Sequence, residues 1–265
     1  MTKPNILWIC TDQQRFDSLG CYGNEFVHTP NIDRLAESGV LFEQSYCQST
    51  VCTPSRASFL TGRYPRTTRC RQNGQRMPAD EVLVTKLLAD AGYMCGLSGK
   101  LHLSPCHPSV APTGEQRIDD GYAEFHWSHA QGGNWPNNEF RLWLQEKGVE
   151  YAETPMEGTT TSRFVTYGPE SEHHQTTWCA EKAIQFIEAN AKFKHPWLFS
   201  VNMFDPHHPF NPPRSLLDRY MEKLDDIPLP NYVEGELDRK PQYQQIDRQG
   251  AYGNKGNLAA SEMND

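Results

Sequence analysis

Four short stretches hold residue types that act on anions and cations. Thr11-Asp12-Gln13-Gln14-Arg15 sets a charged and a neutral oxygen ligand side by side at Asp12 and Gln13, a pair that suits a hard cation such as Ca2+ or Mg2+. Cys52-Thr53-Pro54-Ser55-Arg56 joins a thiol to a guanidinium whose planar fork can hold oxyanions. Ser98-Gly99-Lys100-Leu101-His102 adds an ammonium and an imidazole, and Asp205-Pro206-His207-His208 two further imidazoles. Taken singly, each has a plain structural use: an isolated cysteine is usually a small buried thiol, and an isolated histidine usually has a packing or surface role. His107, His126, His129, His173, His174 and His195, which lie outside these strings, are read that way.

The hydrophobic pattern predicts the elements that carry these stretches. Ile6 to Cys10 is a continuous apolar run, the pattern of a strand buried on both faces of a mainly parallel sheet. Tyr93 to Leu97 and Trp197 to Phe204 predict two more strands, and Val40 to Tyr46 another. Helices are predicted from Thr29-Pro30-Asn31 to a stop at Gly39, with Ile32, Leu35 and Ala36 on one face, and from Ser55 to Thr61, closed by Gly62. Two more cover Glu81 to Ala91, with a stripe of Leu83, Val84, Leu87, Leu88 and Ala91, and Thr176 to Ala191 through Cys179, Ala183 and Ile187. Residues 104–170 read as long loops with one helix, Asn138 to Lys147, and the chain beyond Asn211 offers no closing strand. Strands alternating with helices predict an α/β fold with helices on both faces of the sheet. Ligands of such sheets bind beyond the carboxyl ends of the strands, so the four stretches are expected to converge at one edge.

Composition narrows the function classes. With 25 basic and 33 acidic residues the net charge is −8, which excludes a general nucleic-acid binder but leaves room for a locally basic pocket. Mean hydropathy is −0.71, and no apolar run approaches the length of a membrane span. The apolar part of the N-terminus is too short for a secretory signal, which predicts a cytoplasmic chain whose eight cysteines are thiols; none forms a Cys-x-x-Cys pair.

Read as whole strings, the motifs resemble the sulfatase branch of the alkaline-phosphatase superfamily. Cys52-x-Pro54-Ser55-Arg56 followed by Ala57-Ser58-Phe59-Leu60-Thr61-Gly62-Arg63 resembles the signature whose cysteine a maturase oxidises to formylglycine. Pro4-Asn5-Ile6-Leu7 with Asp12-Gln13, then His28-Thr29-Pro30-Asn31-Ile32-Asp33-Arg34-Leu35-Ala36, resembles the family's opening. Gly99-Lys100-Leu101-His102 and Asp205-Pro206-His207-His208-Pro209 resemble two later family segments.

The resemblance implies a sulfuric ester hydrolase acting on a small sulfate monoester. Hydrated formylglycine at position 52 is the implied nucleophile, Arg56 and Lys100 the implied oxyanion ligands, and His102 the base that releases sulfate. His207 is implied to bind sulfate and protonate the leaving oxygen. Asp12, Gln13 and modified Cys52 are the implied ligands of Ca2+ or Mg2+, and Asn73 an implied contact to substrate or nucleophile oxygens. Asp-Gln in place of Asp-Asp resembles a bacterial subgroup that includes choline sulfatase-like enzymes and phosphonate monoester hydrolases, so phosphonate or phosphate ester hydrolysis is the alternative. The family's later Ser-Asp-His/Asn-Gly segment has no counterpart here, which predicts that residues 1–265 are the N-terminal portion of a sulfatase catalytic domain. A catalytically silent remnant is the reading from another class.

Overall fold

Strand β1 (Ile6–Cys10) forms as its apolar run predicts, and opens the computed structural model, which describes residues 3–132, 135, 137–156, 165–228 and 233–249. Helix α1 (Pro30–Ser38) starts on a proline, and α2 (Cys52–Thr61) ends at Gly62 in the left-handed conformation. After the short α3 (Pro65–Thr68) come α4 (Val84–Asp90), β2 (Met94–Gly99), β3 (Glu124–Trp127) and α5 (Glu139–Glu146). The two-residue strands β4 (Thr154–Pro155) and β5 (Thr166–Tyr167) pair antiparallel. Then follow α6 (Gln175–Asn190), β6 (Trp197–Asn202), α7 (Arg214–Met221) and α8 (Gln242–Gln249).

The first of two compact units comprises residues up to Ala152 together with Pro169–His208. Its sheet has the order β1-β6-β2-β3 with every pair parallel, so all four carboxyl ends lie at one edge. Leu60, Leu83, Leu97, Leu101 and Leu198 pack with Ala57 and Met77 in one core layer. Phe199 and Val201 pack with Trp178, Ala183 and Phe186 of α6 and Phe140, Trp143 and Leu144 of α5 in the other. This is the expected α/β architecture with helices on both faces.

The second unit comprises Glu153–Gly168 and the residues from Pro209 on. Within it Thr166 N–H donates to Phe210 O at 2.9 Å, and Tyr167 OH to Asp218 at 3.4 Å. Residues 157–164 of the predicted loop region and the chain from 250 onward lie outside the described residues.

Several boundaries and one strand differ from expectation. β1 is an edge strand, and α6 lies on β2 and β6, so Leu7 and Ile9 remain 46% and 57% exposed rather than buried on both faces. Val40 to Tyr46 is irregular and exposed; an extended segment without a partner strand has no ladder for its backbone. Helix α1 buries none of its expected apolar face. Helix α2 begins three residues early, at Cys52, whereas α4 begins three late, because Leu83 is extended and Glu81 is bound by Arg63. β3 lies in the region read as loop, and α3, α7 and α8 were not foreseen.

Candidate active site

The carboxyl ends of β1, β2 and β6 deliver three of the predicted stretches to one place, and α2 brings the fourth, Cys52 to Arg56. Backbone pairing continues past the strands: Asp12 N–H donates to Asp205 O at 3.1 Å and Lys100 N–H to Asn202 O at 3.0 Å. The second contact needs Gly99, which sits at φ +99°; a Cβ there would come within 1.9 Å of Asn202 O. Gln13 and His102 are also left-handed, at φ 61° and 56°, a backbone state that non-glycine residues rarely take outside constrained sites.

At the centre Asp12 Oδ2 receives Lys100 Nζ at 2.6 Å and Arg56 Nη2 at 3.3 Å, all three side chains being buried. Burial pushes the Asp12 carboxyl up, but Lys100 and then Arg56 outweigh it and hold it below its ordinary value. Arg56 also donates to Lys100 O at 2.7 Å, and Asn202 Nδ2 to the same oxygen at 2.9 Å. Two buried cations thus face one carboxylate. The surplus positive charge favours an anion.

Cys52 opens α2, with Sγ 3.8 Å from Asp12 Oδ1 and ligand atoms of Asp12, Cys52 and His207 within 4.8 Å of one another. An anion here meets the amino end of a helix, where backbone N–H groups and the dipole favour negative charge. Asn73 Oδ1 accepts from Thr53 N–H at 2.9 Å, so in this structure it braces the first turn of α2. Desolvation raises the Cys52 thiol above its ordinary value, the opposite of what a thiolate nucleophile requires.

The histidines complete the edge. His207 Nδ1 donates to His208 O at 2.5 Å, which leaves Nε2 as the acceptor of the neutral ring. Burial, then the charge of Lys100, lowers His207 to about 4. His102 is held neutral by burial and by His129 and Lys100, and its Nδ1 is buried without a hydrogen-bond partner. His208 Nδ1 donates to Gln13 Oε1 at 3.2 Å, which brings Gln13 beside the histidine pair.

Sequence reasoning passed over the residues that hold these groups in place. The Glu115 carboxylate accepts from the N–H groups of His102 (3.0 Å), Leu103 (2.5 Å) and Ser104 (3.3 Å) and from Trp127 Nε1 (2.8 Å). Asp205 accepts from Gln131 and from Thr176 Oγ1, each at 2.8 Å. His129, read as structural, meets His102 edge to face at 4.5 Å. The signal available in the sequence was position alone: His129 follows the end of β3, which lies in the region read as loop, and Glu115 lies in the loop between β2 and β3.

The match to known proteins is extensive. A family model described as Sulfatase matches residues 4–245. The chain belongs to the sulfatase family. An arylsulfatase of Clostridium perfringens is 30% identical over 237 residues, covering 86% of this chain and 48% of that protein. Human iduronate 2-sulfatase is 30% identical over 252 residues, 87% of this chain and 40% of the relative. The sulfatase chain thus spans about half the length, or less, of the curated relatives it matches. Among solved structures, a phosphonate monoester hydrolase from Silicibacter pomeroyi superposes with a TM-score of 0.73 over 89% of this chain and 47% of that one, at 23% identity. That likeness establishes the α/β fold of the sulfatase chain.

Proposed function

We propose that this chain is the N-terminal, nucleophile-bearing portion of a sulfuric ester hydrolase, with residues 1–265 belonging to one catalytic domain. The observation that carries the reading is the placement of Cys52 at the amino end of α2 beside buried Arg56 and Lys100, which share the single carboxylate of Asp12. Conversion of Cys52 to formylglycine by a maturase belongs to the proposal; once formed and hydrated, that group supplies an oxygen nucleophile for covalent catalysis. The raised thiol of Cys52 supports a role other than that of thiolate.

The remaining roles follow from the chain's own groups. Lys100 and Arg56 bind the sulfate oxygens, aided by the first-turn N–H groups of α2. Neutral His102 is in the form a general base needs. His207 has a ring nitrogen within 4.8 Å of ligand atoms of Asp12 and Cys52, and the negative charge of an arriving ester favours its protonated form, from which it hands a proton to the leaving oxygen. Asn73 fixes the start of α2 and thereby position 52.

Asp12 and Gln13 fit a hard divalent ion poorly by themselves. Lys100 and Arg56 already share the Asp12 carboxylate, and Gln13 Oε1 accepts from His208. A divalent ion would add two charges to a cluster with a cationic surplus. Ca2+ or Mg2+ therefore belongs to the proposal only for a site completed by further anionic ligands, and this chain should bind Ca2+ weakly in calorimetry. A cytoplasmic location is the accompanying reading, supported by eight cysteines that are all unpaired. Among the described residues no helix is long and apolar enough to cross a membrane.

Two measurements test the function. Peptide mass spectrometry with an aldehyde-reactive probe should find an aldehyde at position 52 in protein from the native host; thiol throughout would remove the mechanism. Parallel assays of an aryl sulfate and an aryl phosphonate on the converted protein separate the main reading, which Lys100 and His102 favour, from phosphonate or phosphate ester hydrolysis, with which the Asp12-Gln13 pair is compatible. A converted protein whose site has been completed by the further anionic ligands, and which is still inactive on both, would identify a silent remnant.

A further inference from the structure

His102, Cys106 and His129 come together from three stretches of the first unit: the segment after β2, the loop beyond it, and the segment after β3. All three are buried, and each places one metal-ligating atom within 4.8 Å of the others. Cys106 Sγ lies 3.2 Å from His129 Nδ1 and 3.4 Å from Nε2, while the two imidazoles meet edge to face at 4.5 Å. Zinc bonds of about 2.3 Å to sulfur and 2.0–2.1 Å to nitrogen put tetrahedral S and N donors about 3.5 Å apart. The Cys106–His129 spacing is thus close to that of a metal-bound pair.

A second observation points to an occupant. His102 Nδ1 is buried without a hydrogen-bond partner, a state that native structures reserve for groups with an ion, a water or a catalytic duty. The donor chemistry then selects the ion. One thiolate and two neutral imidazoles suit borderline-soft ions of the zinc class, whereas Ca2+ and Mg2+ take oxygen ligands. This cluster therefore differs in kind from the Asp12–Cys52–His207 group, which includes a carboxylate.

We propose that His102, Cys106 and His129 form a binding site for a zinc-class divalent ion, with three protein ligands and one open position. The thiol proton passes to solvent as the metal–sulfur bond forms, and no change of oxidation state is involved. One consequence rests on the function proposed above. His102 serves both as the general base and as a ligand, so a bound zinc ion takes away the lone pair that the base needs and switches the site off. Metal binding itself does not depend on that role.

Cobalt reports on the site without any catalytic assay. Titration of the metal-free chain with Co2+ should give a thiolate-to-cobalt charge-transfer band and intense tetrahedral visible bands, both displaced by Zn2+. The Cys52→Ala protein should retain them. Cys106→Ser should abolish the charge-transfer band, and His129→Gln should weaken cobalt affinity at least tenfold, with far-UV circular dichroism confirming that each variant is folded. Should Cys106→Ser not fold, His129→Gln decides. Absence of the charge-transfer band in the wild-type chain, its loss on changing Cys52, or its survival in folded Cys106→Ser would overturn the proposal. An inactive esterase with these cobalt spectra would instead count against the catalytic reading alone.

Discussion

Lys100 Nζ lies 2.6 Å from Asp12 Oδ2, and the two side chains are only 1% and 8% exposed. Arg56 shares the same carboxylate oxygen, so the three charges form one buried cluster. Removing the carboxylate strands two cations, whereas removing Lys100 leaves a balanced Asp12–Arg56 pair. Asp12→Asn should therefore lower unfolding stability by about 3–5 kcal/mol, and Lys100→Met by clearly less. Urea denaturation of both variants checks the order; equal losses would show that Arg56 does not hold Asp12.

Glu115 gathers four donors, three of them successive backbone N–H groups at 102–104. Glu115→Ala leaves those donors without their acceptor, and each unsatisfied buried group costs about 1–3 kcal/mol. A loss of about 3 kcal/mol or more is expected, with faster amide exchange at His102, Leu103 and Ser104. Glu115→Gln, which keeps one good acceptor oxygen, should fall between. Unchanged exchange at 102–104 would mean that the loop is held by other contacts.

His126 bridges Glu139 and Glu124, with ring nitrogens 2.8 and 2.9 Å from their oxygens. The hydrogen bond to Glu139 raises it above the ordinary 6.5, and that to Glu124 adds to the shift against the effect of burial. A histidine raised on folding stabilises most below its unfolded value, and that contribution fades as pH rises through the folded one. Unfolding free energy should fall as pH increases above 6.5, and His126→Gln should flatten that fall. Parallel pH profiles for the two proteins would rule out this link between β3 and α5.

Ile9 and Leu97 lie in the same sheet under opposite conditions, at 57% and 0% exposure. Leu97→Ala should cost about 2–5 kcal/mol through lost burial and a cavity. Ile9→Ala removes a side chain that is already half in water and should cost well under half as much. Comparable losses in denaturant titrations would show that β1 is covered in solution.

The site was legible in the sequence because its chemistry sits in contiguous strings at strand ends, and a strand end is marked by the abrupt change from apolar to polar residues. Asp12 and Lys100 converge as that rule requires, whereas Cys52 and Arg56 reach the same place on α2 with no strand before it. What escaped notice was set by tertiary context. β3 is four residues, Glu-Phe-His-Trp, too short and too polar to stand out from the loops beside it. Val40 to Tyr46 has strand composition yet no partner, and composition cannot supply one. Glu115 and His129 acquire meaning only from the backbone they touch.

The sheet order also sets a timetable. β6, the last strand of the sheet to be synthesised, lies between β1 and β2, so the two earlier strands become neighbours of a common partner only after Asn202 exists. Asn202 in turn binds Lys100 through both its side chain and its carbonyl. A ribosome adding roughly 5–20 residues per second takes on the order of ten to thirty seconds to travel from codon 52 to codon 202. Throughout that interval the segment that opens α2 lacks the finished sheet edge that later encloses it, which would give the proposed maturase its access to Cys52 before the fold closes.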